Sequence, residues 1–267
     1  MKNASICTKP RRLGTSLLLL SLTLPVAASA EPTQAEIDKI IAEVDERQRN
    51  SGDWKTLAYI EQKEKDKNDL AYEAVVYRRD ADDKLMILFL KPKAEAGKGY
   101  LRLDKNLFMY DPTVGKWERR TERERIGGTD SRRADFDESR LAEEYVTKWV
   151  NEEALGKRVC NHFKLEAKAG VDVAYPVIEL WVDKETGNVM KRLEFALSGK
   201  LMRRALYPEW EKLWSESKKA DVYFPKKIFI FDEVEKGNST QVVIQKVDLN
   251  PLDANIFTKA WLESKSR

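Results

Sequence analysis

The sequence predicts a β-dominant α+β fold, and three observations carry that expectation. From Thr56 onward apolar residues recur with period two rather than 3.6. The runs are cut by tight-turn signals such as Gly187-Asn188 and Ser198-Gly199. Few stretches carry helical spacing.

The first helix is announced by Thr33-Gln-Ala-Glu36, a capping box whose hydroxyl and carboxylate satisfy each other's backbone donors. Ile37, Ile40, Ile41 and Val44 then follow the spacing of an amphipathic helix, which must lay its stripe on a sheet. Thr56 to Lys63, Leu70 to Arg79 and Lys84 to Lys91 read as strands. Leu85 to Leu90 is apolar on both parities, so that strand should be covered on both faces. Tyr100 to Asp104 and Leu107 to Tyr110 pair across Lys105-Asn106, and Trp117-Glu-Arg follows a turn. Thr121 to Phe136 breaks the rhythm and reads as a mobile or solvated loop. Asp137 is placed to cap a second helix through Leu141, Tyr145 and Trp149. Strands resume at Arg158 to Ala167.

A three-strand meander from Tyr175 to Tyr207 organises the rest. Ile178, Leu180 and Val182 share one parity; Val189, Leu193 and Phe195 are read as alternating with Arg192 and Glu194. Glu209 to Ala220 is an insert bearing Trp210 and Trp214, and a last hairpin spans Lys236-Gly-Asn238. A short helical turn near Phe257 and Trp261 ends the chain. The total is about 11 or 12 strands and two helices.

Residues 1–30 have the layout of a secretory signal peptide: Lys2, Lys9, Arg11 and Arg12, then Leu17 to Leu24, then Ala28-Ser-Ala30. Cleavage after Ala30 into the periplasm is expected, leaving residues 31–267 as one domain. The chain carries 48 Lys and Arg against 45 Asp and Glu. Loss of those four basic residues leaves 44 against 45, a net of −1, so the positive total offers nothing to nucleic acid. Cys7 leaves with the segment, making Cys160 the single cysteine and an internal disulfide impossible.

The chemistry of catalysis is sparse. His162 is the one histidine. It shares a strand face with Cys160, but no third group completes a nucleophilic device. No Cys/His cluster suggests a metal, no glycine loop suggests a phosphate, and no cofactor is implied. The expectation is a protein without catalytic residues whose business is its apolar surface.

The run Gly99-Tyr-Leu-Arg-Leu-Asp-Lys-Asn-Leu-Phe-Met-Tyr-Asp-Pro112 resembles the signature hairpin of the LolA-like outer-membrane lipoprotein-sorting proteins. Ala134-Asp-Phe-Asp-Glu-Ser-Arg-Leu141, Trp181-Val-Asp-Lys184, Gly199-Lys-Leu201, Tyr223-Phe-Pro-Lys226 and the Phe257 tail fall in the family's order. Where relatives have a Met-Gly-Ser-Asp-Phe-like segment, this chain has Gly127-Gly-Thr-Asp and then Ser-Arg-Arg-Ala-Asp-Phe136. The resemblance implies an open, incomplete antiparallel β-barrel with helices across its concave face and a cavity for acyl chains of lipoproteins or other lipids. It also implies an inner-membrane exporter of the RND or ABC type, or an outer-membrane acceptor, as partner.

Strand parity then nominates Leu101, Leu103, Val159, Phe163, Leu165, Ile178, Leu180, Val182, Leu193 and Phe195 as cavity lining, with Ile37, Ile40, Ile41 and Val44 on the lid. A second function uses the same fold differently, as a periplasmic regulator or exporter accessory docking a membrane partner. Arg132 and Arg133, in an arginine-rich stretch, are its candidate contacts.

Overall fold

The computed structural model describes residues 31–49, 52–103, 106–121, 124–136 and 139–266. The expected signal peptide lies outside them. Helix α1 (Gln34–Arg49) precedes strands β1 (Asp53–Lys63), β2 (Leu70–Arg79), β3 (Lys84–Lys91), β4 (Gly99–Leu103), β5 (Asn106–Asp111) and β6 (Lys116–Arg120). A single turn, α2 (Leu141–Glu144), leads into β7 (Tyr145–Leu155), β8 (Arg158–Ala167), β9 (Val177–Asp183) and β10 (Val189–Phe195). Strands β11 (Leu201–Ser215), β12 (Ala220–Asp232) and β13 (Ser239–Asp248) follow, and α3 (Lys259–Lys265) closes the chain.

Among the described residues, 13 strands form one antiparallel sheet in the order β6-β5-β4-β3-β2-β1-β13-β12-β11-β10-β9-β8-β7. Within β1–β6 and within β7–β13 each strand lies beside its neighbour in sequence, and β1 pairs with β13 to join the two meanders. Strands β6 and β7 are consecutive in the chain yet form the two edges. The sheet is therefore an open, incomplete barrel. The segment between those edges, residues 121–144, has to cross from one side of the sheet to the other.

Three sequence expectations are corrected. The second helix is one turn only, because β7 begins at Tyr145. A spacing of four fits a strand as well as a helix, so Leu141, Tyr145 and Trp149 suit either period, and Asp137, the expected cap, lies outside the described residues. The same ambiguity hides the Trp210–Trp214 insert, which is a hairpin arm in which β11 runs on to Ser215 and pairs with β12 down to Ala220. Thirdly, the helices do not all cover one face. Helix α3 packs Leu262 with Phe257 against Met86, Leu88 and Leu101 on the outer face. Helix α1 lies on the inner one, against Phe163, Ile178 and Leu180. Gly99 permits the close approach of α3: a Cβ there would stand 2.7 Å from Leu262 Cδ1 and 2.6 Å from the Ile87 carbonyl oxygen. Strand β3 is covered on both sides from Leu85 to Phe89, with Leu85, Ile87 and Phe89 facing in and Met86 and Leu88 facing out, while Leu90 at its end is exposed against expectation.

Candidate functional site on the inner face

Four strands supply an aliphatic floor. Phe163 and Leu165 of β8 and Ile178, Leu180 and Val182 of β9 are almost wholly buried and share a cluster with Tyr145 of β7 and Val189 of β10. Helix α1 lies on this floor through Ile37, Ile41 and Val44, with Ile40 partly covered. Burying one such side chain is worth roughly 1.5–3 kcal/mol, so the stripe is the principal attachment of the helix. Polar ties add to it. Gln34 Nε2 donates to the Thr147 carbonyl at 3.3 Å, and Arg47 Nη1 to Asn188 Oδ1 at 3.1 Å. Asp45, fully buried, accepts from Ser139 Oγ (2.5 Å), Leu141 N (2.9 Å) and Ala142 N (2.8 Å). It caps the turn α2 and joins the helix to the edge-to-edge connector.

The connector is packed rather than solvated, which corrects the mobile-loop reading of Thr121 to Phe136. Ile126, Thr129, Asp130 and Ser131 are buried. Asp130 N donates to Thr240 Oγ1 at 2.8 Å and Gln62 Oε1 at 3.2 Å, seating the chain on β13 and β1. Gly127, at φ +60°, sits against the Phe89 ring, where a Cβ would come within 2.5 Å of Cζ. Beside it, over β2 to β5, a cleft of about 390 Å³ remains open, lined by Tyr72, Phe89, Tyr100 and Met109 with Arg120 and Arg125.

Between floor and connector lies a buried ionic cluster. Arg203 of β11 forks onto Asp135 of the connector, Nη1 to Oδ1 at 2.8 Å and Nη2 to Oδ2 at 2.5 Å. Its Nη1 also donates to Glu194 Oε2 at 2.9 Å, and Arg192 Nε meets Glu194 Oε1 at 2.8 Å. Burial opposes the charge on Glu194, but Arg203 and Arg192 outweigh it and hold the carboxyl below its ordinary range. Burial likewise opposes the charge on Arg203, and Asp135 with Glu194 overcomes it. Tyr145 and Tyr175 are pushed up to about 12, chiefly by burial.

The comparisons with known proteins bear on this arrangement. A family model described as "uncharacterized protein" matches residues 81–264, well over half of the chain, and the chain belongs to that family. No curated protein matches the sequence. A DUF1329 family protein from Desulfovibrio piger superposes with a TM-score of 0.74 at 16% identity, over 87% of this chain and 100% of that one. A putative outer membrane lipoprotein-sorting protein domain from Vibrio parahaemolyticus gives 0.73 at 15%, over 86% and 100%. A LolA superfamily protein from Nitrosomonas europaea gives 0.66 at 18%, over 84% and 97%. The fold is that of the LolA superfamily.

Within this LolA-superfamily fold the nominated residues divide between two faces. Phe163, Leu165, Ile178, Leu180 and Val182 come together on the inner floor, facing Ile37, Ile40, Ile41 and Val44. Leu101 and Leu103 belong to the outer cluster under α3. Leu193 also packs outside, with Cys160, Trp181 and Met190. Phe195 pairs with Val177 and shares the outer face with Leu193. Val159 is exposed. The reason in β10 is a register shift between Val189 and Lys191, which places Arg192 opposite Leu180 and Glu194 opposite Ile178. One extra residue turns the expected apolar parity outward and the charged parity inward. Strict alternation from Val189 therefore hides the ionic cluster. Arg132 is half-buried, its guanidinium 6.0 Å from the Tyr175 ring centre, and the Arg133 side chain lies outside the described residues.

Cys160 and His162 do share the outer face, but not as a nucleophilic pair. Burial pushes the Cys160 thiol up to about 11, away from the thiolate. His162 stacks on Trp181 at 3.9 Å with its Nε2 3.2 Å from Glu179. Burial lowers its pKa against the pull of that carboxylate.

Proposed function

We propose that the protein is a periplasmic carrier that shelters the acyl chains of lipoproteins or other lipids between inner-membrane machinery and the outer membrane. The observation that carries this reading is that one 16-residue helix, α1, covers the aliphatic floor of β8 and β9. Lifting α1 uncovers apolar surface where a hydrocarbon chain takes the place of the Ile37, Ile41 and Val44 side chains. Apolar burial is conserved in the exchange, at about 0.8 kcal/mol per methylene. A carrier has to release its cargo, and a helix that rebinds the same floor supplies the competitor. The likeness to a putative lipoprotein-sorting domain supports the same reading. An exporter of the RND or ABC type, or an outer-membrane acceptor, is the partner this role requires.

The experiment is native mass spectrometry of protein purified from its own periplasm, with uptake of a fluorescent fatty acid by the delipidated form. Co-purifying lipid and saturable uptake are expected. A lipid-free protein that takes up no probe refutes the carrier.

A further inference from the structure

Resting on that reading, we infer that the Arg203 fork is the head-group subsite of the inner face, and that Asp135 occupies it in place of the anionic head of an acyl guest.

The geometry carries three parts of the argument. First, Arg203 stands next to the floor: it pairs across β10–β11 with Glu194, which itself stands opposite Ile178. A chain lying along Ile178 and Leu180 would bring its head to this guanidinium. Second, the fork is held by a carboxylate that the sheet does not supply. Asp135 belongs to the connector, its side chain is 26% exposed, and Arg203 behind it is 5% exposed. A carboxylate or phosphate monoester presents the same oxygen pair to a guanidinium. Third, the surroundings hold polar atoms that the protein leaves unused. Tyr175, 6% exposed, has a buried hydroxyl with no hydrogen-bond partner among the described residues, and the same is true of Arg203 Nε. Tyr175 packs in the inner-face cluster, with the Arg132 guanidinium of the connector 6.0 Å from its ring centre. A buried donor without an acceptor is costly to keep, and an anionic head would satisfy it.

The exchange also explains why the connector and α1 would open together. Withdrawal of Asp135 alone leaves a buried guanidinium sharing one carboxylate with Arg192, which is strongly unfavourable. Withdrawal with simultaneous entry of a ligand carboxylate keeps the charge balance unchanged. Since Asp45 ties the connector to α1, head-group capture at Arg203 and lid release become one event. A neutral lipid gains only the floor.

The test compares palmitate, methyl palmitate and inorganic phosphate on the delipidated protein by isothermal titration, with Asp135→Asn beside the wild type. Palmitate is expected to bind at least about tenfold tighter than its methyl ester, the worth of one charge-assisted hydrogen bond, and phosphate alone to bind far more weakly than palmitate. Asp135→Asn removes the internal competitor and is expected to strengthen palmitate binding several-fold while leaving the ester unchanged. Equal affinity for acid and ester overturns the head-group assignment and leaves the carrier reading standing. Phosphate binding as tight as palmitate makes the fork a free-anion site and also overturns it. Binding of neither palmitate nor the ester removes both readings. The wild-type comparison needs no variant, so an unstable Asp135→Asn protein does not shelter the proposal.

Discussion

Arg192 stands directly opposite Leu180 across β9 and β10, a guanidinium facing the aliphatic floor. It is tolerated because Glu194, two residues on, meets its Nε at 2.8 Å, and Arg203 completes the charge balance. The pairing predicts that Glu194→Gln is among the most damaging isosteric changes in the protein, since it leaves two arginines with too little negative charge. Loss of about 3–5 kcal/mol is expected, read as a fall in the urea midpoint without a change in slope.

The same group sets a pH dependence. The folded-state pKa of Glu194 is depressed below its ordinary 4.5, so its contribution is complete above 4.5 and is lost as pH falls toward the depressed value. Asp53, lowered by its hydrogen bond from Arg79, acts in the same direction below 3.8. Melting temperature should be flat above about 6.5, begin to decline below it as buried His162, whose pKa burial lowers, is driven to protonate, and fall steeply in acid below 4.5 and 3.8. In Arg79→Gln the Asp53 part of that slope should shrink, the Leu252 amide alone remaining on the carboxylate.

Asp45→Ala should uncouple helix α1 from the connector. The substitution leaves two backbone amides and a serine hydroxyl without their acceptor, at a cost of about 2–3 kcal/mol. For a domain of this size that is roughly a 4–12 °C fall in melting temperature. Hydrogen exchange should show the loss confined at first to residues 34–49 and 139–144, with the strands protected as before. Uniform loss of protection across the sheet would contradict the coupling.

Cys160 should be inert in the native state. Its thiol is buried and its pKa is pushed up to about 11. A disulfide-exchange reagent at pH 8 is expected to react with it only after denaturant is added. Rapid reaction of the native protein would contradict the packing of Cys160 beneath Trp181 and Met190.

Much of this architecture is legible from residue order alone. Strand parity in β8 and β9 gives Phe163, Leu165, Ile178, Leu180 and Val182 their shared face, and the doubly apolar β3 its two covers. Helix α1 is written in Thr33, Glu36 and the Ile37–Val44 stripe, and the capping contacts form as expected, with Thr33 N donating to Glu36 Oε2 at 2.8 Å. Parity alone, however, does not say which face of a long sheet is which. Leu101 looks like Leu180 in sequence, yet they lie on opposite sides because each alternation is counted from its own turn. The register shift after Val189 is a backbone event with no side-chain signature, and it moves Leu193 and Arg192 to opposite faces from those expected. The ionic cluster needs Asp135, Glu194 and Arg203 from three separate segments. Only the topology of an open sheet, whose edge-to-edge connection must cross the interior, brings them together.

The central claim is that hydrocarbon enters between α1 and the floor of β8 and β9. Photolabelling with a long-chain fatty acid bearing a diazirine at its terminal carbon, followed by peptide mapping, tests it most directly. Labels on Phe163, Leu165, Ile178, Leu180 or Val182, or on Ile37, Ile41 or Val44 of the helix, are the predicted result. Labels confined to the outer cluster of Trp181, Met190 and Leu193, or no specific labelling at all, would contradict it.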